Sequence, residues 1–433
     1  MGFEHIDSYY SRTLNNPKTW PPLTGNADVR VAIVGGGLAG INTALGLVDR
    51  GVKDVVVLEA NRMGWGASGR NGGFMSPGFA LDMLSVEKRV GLPHAQKLYA
   101  KSLAAQKLVC DRMKASKISC EAVDGLVEAS IFNDIDDVAD YVSQMNDKFD
   151  AGYDLWPVEK VRSQFKSNRY YAGYLRTKSF HMHTLNYLKA LVDSLATKGV
   201  SIYEQTPVTD MRQRADGRWE LVTPQGAVVA DHVVMCCSAY VGGLNGRLQR
   251  GILPVATYIM LTEKLGPRLK DAIDSPYAFS DLRFACDYYR VVDGDRILWG
   301  GDISVFNLSP DQVAKAMMKR LKGIYPQLGD IQVDTAWTGM MGYPTHRMPQ
   351  VGSMGGGLWY NTGFGGHGLN ATTVGGEAIA GAIAQGDETY RLFEPFGLDY
   401  TGWPFGQALV QMGYWWFQVQ DTARGIKTRL TAA

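Results

Sequence analysis

The chain has 433 residues, more than one hydrophobic core usually organises, so two domains are expected. Hydrophobic residues make up 45% and charged residues 20%, a globular composition; 44 Lys+Arg against 43 Asp+Glu give a net charge of +1, which offers nothing to a nucleic-acid partner. The five cysteines (Cys110, Cys120, Cys236, Cys237, Cys286) form no Cys-x-x-Cys pair, which argues against a disulfide framework and a structural zinc site.

Residues 1–27, with Pro17, Pro21 and Pro22 among polar residues, are predicted to form an extended arm. The polar N-terminus has no apolar signal stretch, and no apolar run approaches the roughly 20 residues of a membrane span, so a cytoplasmic protein is expected. Val29–Val34 reads as a strand, 38–50 as a helix with Leu38, Ile41, Ala44, Leu45 and Val48 on one face, and Val55–Leu58 as the next strand. A glycine-rich loop spans 64–78. Residues 86–118 read as mostly helical, 134–149 as a helix, His183–Lys198 as a helix and Val200–Tyr203 as a strand. Trp219–Val234 alternates around Pro224-Gln225-Gly226, a hairpin leading into a strand at Val233–Cys236. Residues 255–262 and 288–300 read as strands of a second sheet, turned at Asp293-Gly294. An amphipathic helix is expected at 310–324, a strand at Trp359–Thr362, a loop at 363–368 and a small-residue helix at 369–385. The tail 396–433 carries Trp403, Phe405, Tyr414, Trp415, Trp416 and Phe417. It is expected to pack on the chain's own body; docking on a partner subunit or a membrane surface is the alternative, and the oligomeric state is left open.

Glycine is in excess, with 50 residues, many in clusters at 35–40, 64–73 and 352–376. Clustered glycine implies close backbone approach or positive φ, hence a large cofactor. The first cluster reads Gly35-x-Gly37-x-x-Gly40 between strand and helix, followed by a strand ending in Glu59. Gly35 serves the tight turn, Gly37 the approach of a pyrophosphate, and Gly40 the helix–strand contact; the helix N-terminus at Leu38 and Ala39 offers N–H groups to the phosphates. Glu59 stands where ribose hydroxyls need an acceptor and repels a 2′-phosphate, which leaves FAD or NAD. The second cluster decides for FAD. Gly66, Ala67, Ser68, Arg70, Asn71, Gly72 and Gly73 lie where a plain NAD unit would begin another helix, and such a loop can follow a longer dinucleotide, with Ser68 and Arg70 near the pyrophosphate or the isoalloxazine. The third cluster, Gly363 to Gly368, includes Gly365, Gly366 and His367 and precedes a helix beginning at Leu369, whose N-terminus would stabilise charge on a reduced flavin. Val233–Tyr240 is expected at the adenosine end. Ala60, Arg62, Val208, Ser238 and Gly339 complete the expected cofactor-binding set. These motifs lie at the start, middle and end of the chain. A Rossmann-like α/β FAD-binding domain is therefore expected to be discontinuous (28–90, 180–250, 335–395), with a second domain inserted in two pieces (91–179, 251–334).

The order GGGLAG, LEA, GASGRNGG, HMHTLNY, GFGGHGLN resembles the D-amino-acid-oxidase-type flavoprotein superfamily, which includes glycine oxidase and sarcosine oxidase. Within it the chain is similar to the bacterial γ-glutamylputrescine oxidase group, on Ser8-Tyr9-Tyr10, Ala67–Gly73, His181, His183, Leu185, Asn186, Tyr203–Gln205 with Pro207, and Asp287–Arg290. The resemblance implies an α+β substrate domain with a large, mostly antiparallel sheet and flavin at the domain junction. It also implies hydride transfer from a carbon next to an amine nitrogen to flavin N5, then imine hydrolysis. Sarcosine-type members carry a Lys after the last glycine loop; here Leu369 and Asn370 follow Gly368, which leans away from an α-carboxylate. Members with covalent flavin use a Cys shortly before that loop; Thr338–Gly352 has none, so non-covalent FAD is expected.

No metal is expected, because His181 and His183 have no third ligand nearby. Candidates for the wall facing the flavin are His367, Tyr258, Tyr289, Trp299 and His181, with Tyr288 also weighed; Arg290 and Arg347 are candidate carboxylate partners. No catalytic base is singled out. The expected activity is oxidation of a secondary amine, best read as γ-glutamylputrescine or a related γ-glutamyl polyamine, with O2 or another electron acceptor. The alternative is an oxidase or dehydrogenase of L-pipecolate, sarcosine or iminodiacetate.

Overall fold

Two sheets carry the chain, and their strands are numbered here along the sequence. The computed structural model describes residues 2–432 apart from 284, 285, 307, 403 and 404; the side chains of 417, 422 and 426–432 also lie outside the description. Among the described residues the first sheet has eight strands: β1 (Ala27–Val34), β2 (Val55–Leu58), β7 (Ser201–Tyr203), β8 (Asp210–Gln213), β9 (Trp219–Thr223), β10 (Gly226–Met235), β16 (Gln350–Gly355) and β17 (Leu358–Thr362). Its spine runs β16-β17-β10-β1-β2-β7, parallel from β17 to β7. The second sheet has nine: β3 (Phe74–Met75), β4 (Val123–Ala129), β5 (Tyr153–Trp156), β6 (Gly173–His181), β11 (Leu253–Thr262), β12 (Ala278–Asp281), β13 (Tyr288–Val292), β14 (Arg296–Ser304) and β15 (Val333–Tyr343). It runs β15-β11-β14-β13-β12-β4-β6-β3 and is antiparallel except where β12 meets β4.

The first sheet is buried on both faces, so its strands are continuously apolar rather than alternating. Val31, Ile33, Val55 and Val57 pack into one core, against the helices Leu38–Asp49, Thr184–Thr197 and Gly368–Gln385. Ala32, Val34, Val56 and Leu58 pack into another on the opposite face. The second sheet has one dry face. There Tyr258, Phe279, Tyr289 and Trp299 meet Val313, Met317 and Leu321 of the helix Pro310–Ile324. The β13–β14 turn, Asp293 to Asp295, has Asp293 at φ 53° and Gly294 at φ 76°, both left-handed, as the Asp-Gly pair favours.

Three expectations need correction, and the tail is filled in. The N-terminal arm is not wholly extended: Ser8 caps a one-turn helix, Tyr9–Arg12, and Tyr9 and Tyr10 are buried beside His183 because aromatic area outweighs the local proline signal. The strand placed at Val233–Cys236 starts at Gly226 and runs to Met235, since Gly226–Ala230 pair with β9 and Val228–Met235 lie along β1. The division at residue 335 cuts β15, whose whole length pairs with β11 in the second sheet. The tail contains a helix, Gly406–Ala432; of its aromatic residues, Trp403 and the Phe417 side chain lie outside the description.

Burial holds three histidines neutral. It pushes His181 and His367 down to about 4 and His183 down to about 3, with Arg290 adding to the effect at the first and third of these sites along the strand-to-helix turn and Arg176 at His367. The unfolded chain protonates these groups near 6.5 and the folded chain does not, so stability is full above about 6.5 and falls as pH drops toward 4. Each of the fully buried histidines is expected to cost on the order of 2 kcal/mol at pH 5. The melting temperature is therefore expected to be clearly lower at pH 5 than at pH 7. His183 Nδ1 accepts from the Asn186 N–H and caps its helix, so His183→Asn keeps an acceptor there and is expected to flatten the pH slope. Equal melting at the two pH values would contradict this account.

Candidate active site

Strand β1 is followed by Gly35, whose φ of +116° turns the chain toward the helix Leu38–Asp49. A Cβ at Gly35 would lie 2.8 Å from the Cys236 carbonyl oxygen, and one at Gly40 would lie 2.0 Å from the Gly35 carbonyl oxygen. The three-glycine spacing is thus a steric requirement of this turn. The half-buried Glu59 carboxylate closes the loop from the next strand, accepting from the N–H of Gly36 at 2.7 Å and of Asn61 at 2.8 Å. Burial raises its pKa and those two hydrogen bonds oppose the rise.

The second glycine loop is pinned from several sides. Asn71 donates to the Ala67 and Ser68 carbonyls and accepts from the Gly73 N–H. Arg290 Nε donates to the Gly72 carbonyl at 3.0 Å, and Trp337 Nε1 donates to the Arg70 carbonyl at 2.9 Å. Ser68 Oγ accepts from the Leu38 N–H at 2.9 Å, tying this loop to the helix N-terminus. The Arg70 guanidinium stacks 4.2 Å from the Trp65 ring centroid and donates through Nε to the Trp65 carbonyl. Its Nη2 is buried with no partner.

These loops face a single cavity of about 820 Å³ that extends from the first sheet to the second. Every residue of the expected cofactor-binding set lines it except Gly40 and Arg62. Gly40 packs between helix and strand, and Arg62 is held outside by Glu4 and by buried Glu204 at 3.0 Å. Cys236, Cys237, Ser238 and Tyr240 line the end beside Val208. The groups along this wall suit a dinucleotide: an orphaned guanidinium N–H at Arg70 as donor, a backbone without a side chain at Gly37, and the Glu59 carboxylate as acceptor at the loop.

Of the residues weighed for the wall facing the flavin, His367 and Tyr288 line the cavity. Its Nε2 lies 3.1 Å from the Ser76 carbonyl; held neutral, the ring donates there and keeps its Nδ1 lone pair. Tyr258 turns away and hydrogen-bonds the Phe306 carbonyl and the Leu308 N–H. Tyr289 joins Tyr170 and Tyr325 through their hydroxyls in the dry core, and Trp299 stacks on Tyr289 and donates to Asp287. His181 lies between the Pro276 carbonyl and Arg290. Arg290 braces the second glycine loop and does not line the cavity, whereas Arg347 does.

Beside Tyr288, several lining residues had no place in the expected set. Tyr288 stands edge-on to Phe74, with Thr257 and Ser280 in the same wall. Glu128 and Arg176 reach the cavity from β4 and β6 as an ion pair at 3.2 Å; Glu128 also accepts from Tyr174, and Arg176 donates to the Pro77 carbonyl. Asp302 and Tyr414 complete the far side. A local signal existed for the Tyr288 wall alone: Gly300 and Gly301 interrupt a strand, and a Cβ at Gly300 would sit 2.1 Å from the Tyr288 ring. Among the described residues, no group of three or more His, Cys, Asp or Glu side chains could hold a metal ion, and no helix is long and apolar enough to cross a membrane.

A family profile described as "DAO: FAD dependent oxidoreductase" matches residues 30–382. The chain is 32% identical over 400 residues to "Probable oxidoreductase OrdL" of Haemophilus influenzae, covering 90% of this chain and 91% of that one. It is 29% identical over 425 residues to "Gamma-glutamylputrescine oxidoreductase" of Escherichia coli, covering 96% of this chain and 99% of that one. Among solved structures it is similar to glycine oxidase from Bacillus cereus, with TM-score 0.69 and 21% identity over 86% of this chain and 98% of that one. It is also similar to iminodiacetate oxidase from Chelativorans, with TM-score 0.68 and 17% identity over 85% and 99%. The last two likenesses concern the fold.

Proposed function

The chain belongs to the DAO family of FAD-dependent oxidoreductases, and on that footing we propose that it oxidises an amine whose carboxylate is remote from the reacting nitrogen, γ-glutamylputrescine above all. One observation carries the choice. Arg176, the guanidinium whose charge acts on His367 beside the third glycine loop, is already matched by Glu128 at 3.2 Å. Asn370, at the position where sarcosine-type relatives place a lysine, turns inward and donates to the Ser102 carbonyl at 2.9 Å. An α-carboxylate next to the reacting amine finds no unmatched cation in this pair of positions. The name of the Escherichia coli relative supports the same substrate.

The chemistry sharpens one expectation. A γ-glutamylated diamine has an amide at one nitrogen and a primary amine at the other, so the bond oxidised is CH–NH2 and not that of a secondary amine. FAD, when bound, supplies the two-electron acceptor for the hydride leaving carbon. The nitrogen loses a proton, the imine adds water, and aldehyde and ammonia leave; dioxygen, taken as the final acceptor, becomes hydrogen peroxide. Neutral His367 offers a lone pair for the proton of the incoming ammonium, and the aromatic wall of Tyr288 and Phe74 excludes water while the amine is uncharged. Peroxide release with γ-glutamylputrescine, exceeding that with sarcosine or iminodiacetate, tests the assignment. A preference for the two amino acids would refute it.

We also propose that FAD is dissociable. Cys236, Cys237 and Cys286 line the cavity, but burial pushes the Cys237 and Cys286 thiols up to about 12, where the nucleophilic thiolate is scarce. Acid precipitation is expected to leave the yellow colour in the supernatant; colour retained in the pellet would show a covalent bond. The five free cysteines suit a reducing compartment, and we place the reaction in the cytoplasm.

A further inference from the structure

The cavity's far side lies along one end of the second sheet, where β11 begins, β14 ends, β13 begins and β12 and β4 end. Register brings Ala256 opposite Ser304, Tyr288 opposite both Gly300 and Ser280, and Asp281 beside Ala129. Thr257, Asp302, Tyr288, Ser280 and Glu128, all at this end, line the cavity.

The C-terminal helix Gly406–Ala432 crosses the same end, beyond the stretch that the family profile matches. Gln411 Oε1 accepts from the Val305 N–H at 3.0 Å. The Tyr414 hydroxyl accepts from the Ile303 N–H at 3.4 Å and reaches Asp302 Oδ1 at 3.5 Å. Ten residues further on, Arg424 pairs with Asp134 at 2.8 Å and covers the Phe132 ring, past the end of β4. Ten helical residues rise about 15 Å. The three strand spacings from β14 to β4 come to about 14 Å. The helix is thus attached at both ends of its crossing. Tyr414, 6% exposed, is the residue it contributes to the cavity wall.

Asp302 gives this wall a charge. Its carboxylate pairs with Arg320 at 2.8 Å, Arg320 also holds Asp287, and Arg283 bridges Asp287 and Asp281. Three carboxylates thus share two guanidinium groups in this cluster, and Asp302 is the carboxylate that reaches the cavity.

We infer that the C-terminal helix is the outer wall of the substrate site and that Tyr414, with Asp302, is a specificity-determining pair that receives a cationic group at the substrate end remote from the reacting amine. The identity of that end rests on the amine reading above; the wall itself does not.

Two measurements on the flavin-loaded full chain test it. The first compares kcat/KM for γ-glutamylputrescine, whose remote end carries an ammonium next to a carboxylate, with that for butylamine, which has no remote charge. Asp302→Asn keeps a residue tolerant of the φ of +50° found there and removes the charge. It is expected to lower that ratio about tenfold, mainly through KM, as does the loss of one half-buried charge contact. The second is iodide quenching of flavin fluorescence, which needs no substrate. Tyr414→Ala is expected to raise the quenching constant, and Tyr414→Phe, which keeps the ring, to restore it. An unchanged ratio in Asp302→Asn overturns the cationic pairing, and unchanged quenching in Tyr414→Ala overturns the wall. If the wild type oxidises neither amine, the substrate assignment and the pairing that rests on it both fail, and quenching alone decides the wall.

Discussion

Gly40→Ala is expected to yield protein that has lost nearly all its flavin. The added Cβ would lie 2.0 Å from the Gly35 carbonyl oxygen and 3.1 Å from Ile33 Cγ2. The nearer atom is backbone on the opposing turn and cannot rotate away. The helix Leu38–Asp49 must move from β1, carrying with it the N–H groups that face the cavity and the Ser68 hydroxyl bonded to Leu38. Overpacking of this kind costs about 1–3 kcal/mol in stability. The displaced phosphate donors add a loss of cofactor affinity on the order of a hundredfold, two such 1.4 kcal/mol steps. Gly323→Ala is the control: nothing lies within 4 Å of its Cβ, and it sits inside the helix Pro310–Ile324. It is expected to melt at or slightly above the wild-type temperature and keep full flavin. A fully yellow Gly40→Ala protein would show that the first glycine cluster does not hold the cofactor.

Arg70→Met is expected to keep its flavin and to slow anaerobic flavin reduction by amine about a hundredfold, the usual cost of removing one preorganised donor from developing charge. Arg70 lies where the two sheets meet. It is clasped by the Trp65 carbonyl and ring, lies near the Thr338 carbonyl of β15, and keeps one buried N–H unpaired. Burial lowers its pKa, the mark of a cation poorly solvated and in want of an anionic partner. Negative charge accumulating on reduction would supply that partner. Methionine keeps the bulk over Trp65, which separates the charge from the packing. Flavin loss with an unchanged rate in the remaining fraction would move Arg70 to the pyrophosphate; unchanged flavin and unchanged rate would remove it from the site.

The half of the cavity built by the glycine loops was legible because its demands are local. Gly35, Gly37 and Gly40 answer contacts within one turn, and Glu59 lies one strand away. The substrate half was misread by a parity of one residue. Side chains alternate across a sheet, and a single sequence does not say which face is wet. On β13 Tyr288 faces the cavity and Tyr289 the dry core; on β11 Thr257 faces the cavity and Tyr258 turns away. On β11 the larger side chain was the natural choice and the dry core took it; on β13 two adjacent tyrosines offered no such difference. The glycines opposite Tyr288 marked the wet face, because bulk beside that ring would collide with it. Glu128, Arg176, Asp302 and Tyr414 had no such mark. Their partners lie on distant strands or on the C-terminal helix, and sequence spacing does not report those contacts. Arg290 was legible as an important arginine but not as a brace, since its role is set by the Gly72 carbonyl far along the chain.

The amine-oxidase reading stands or falls most directly on anaerobic reduction of the purified yellow protein. γ-Glutamylputrescine is expected to bleach the flavin in the absence of oxygen, and admission of air to restore the colour with release of hydrogen peroxide. Bleaching by sarcosine, pipecolate or iminodiacetate with none by γ-glutamylputrescine would contradict the account and return the carboxylate to the reacting end of the substrate.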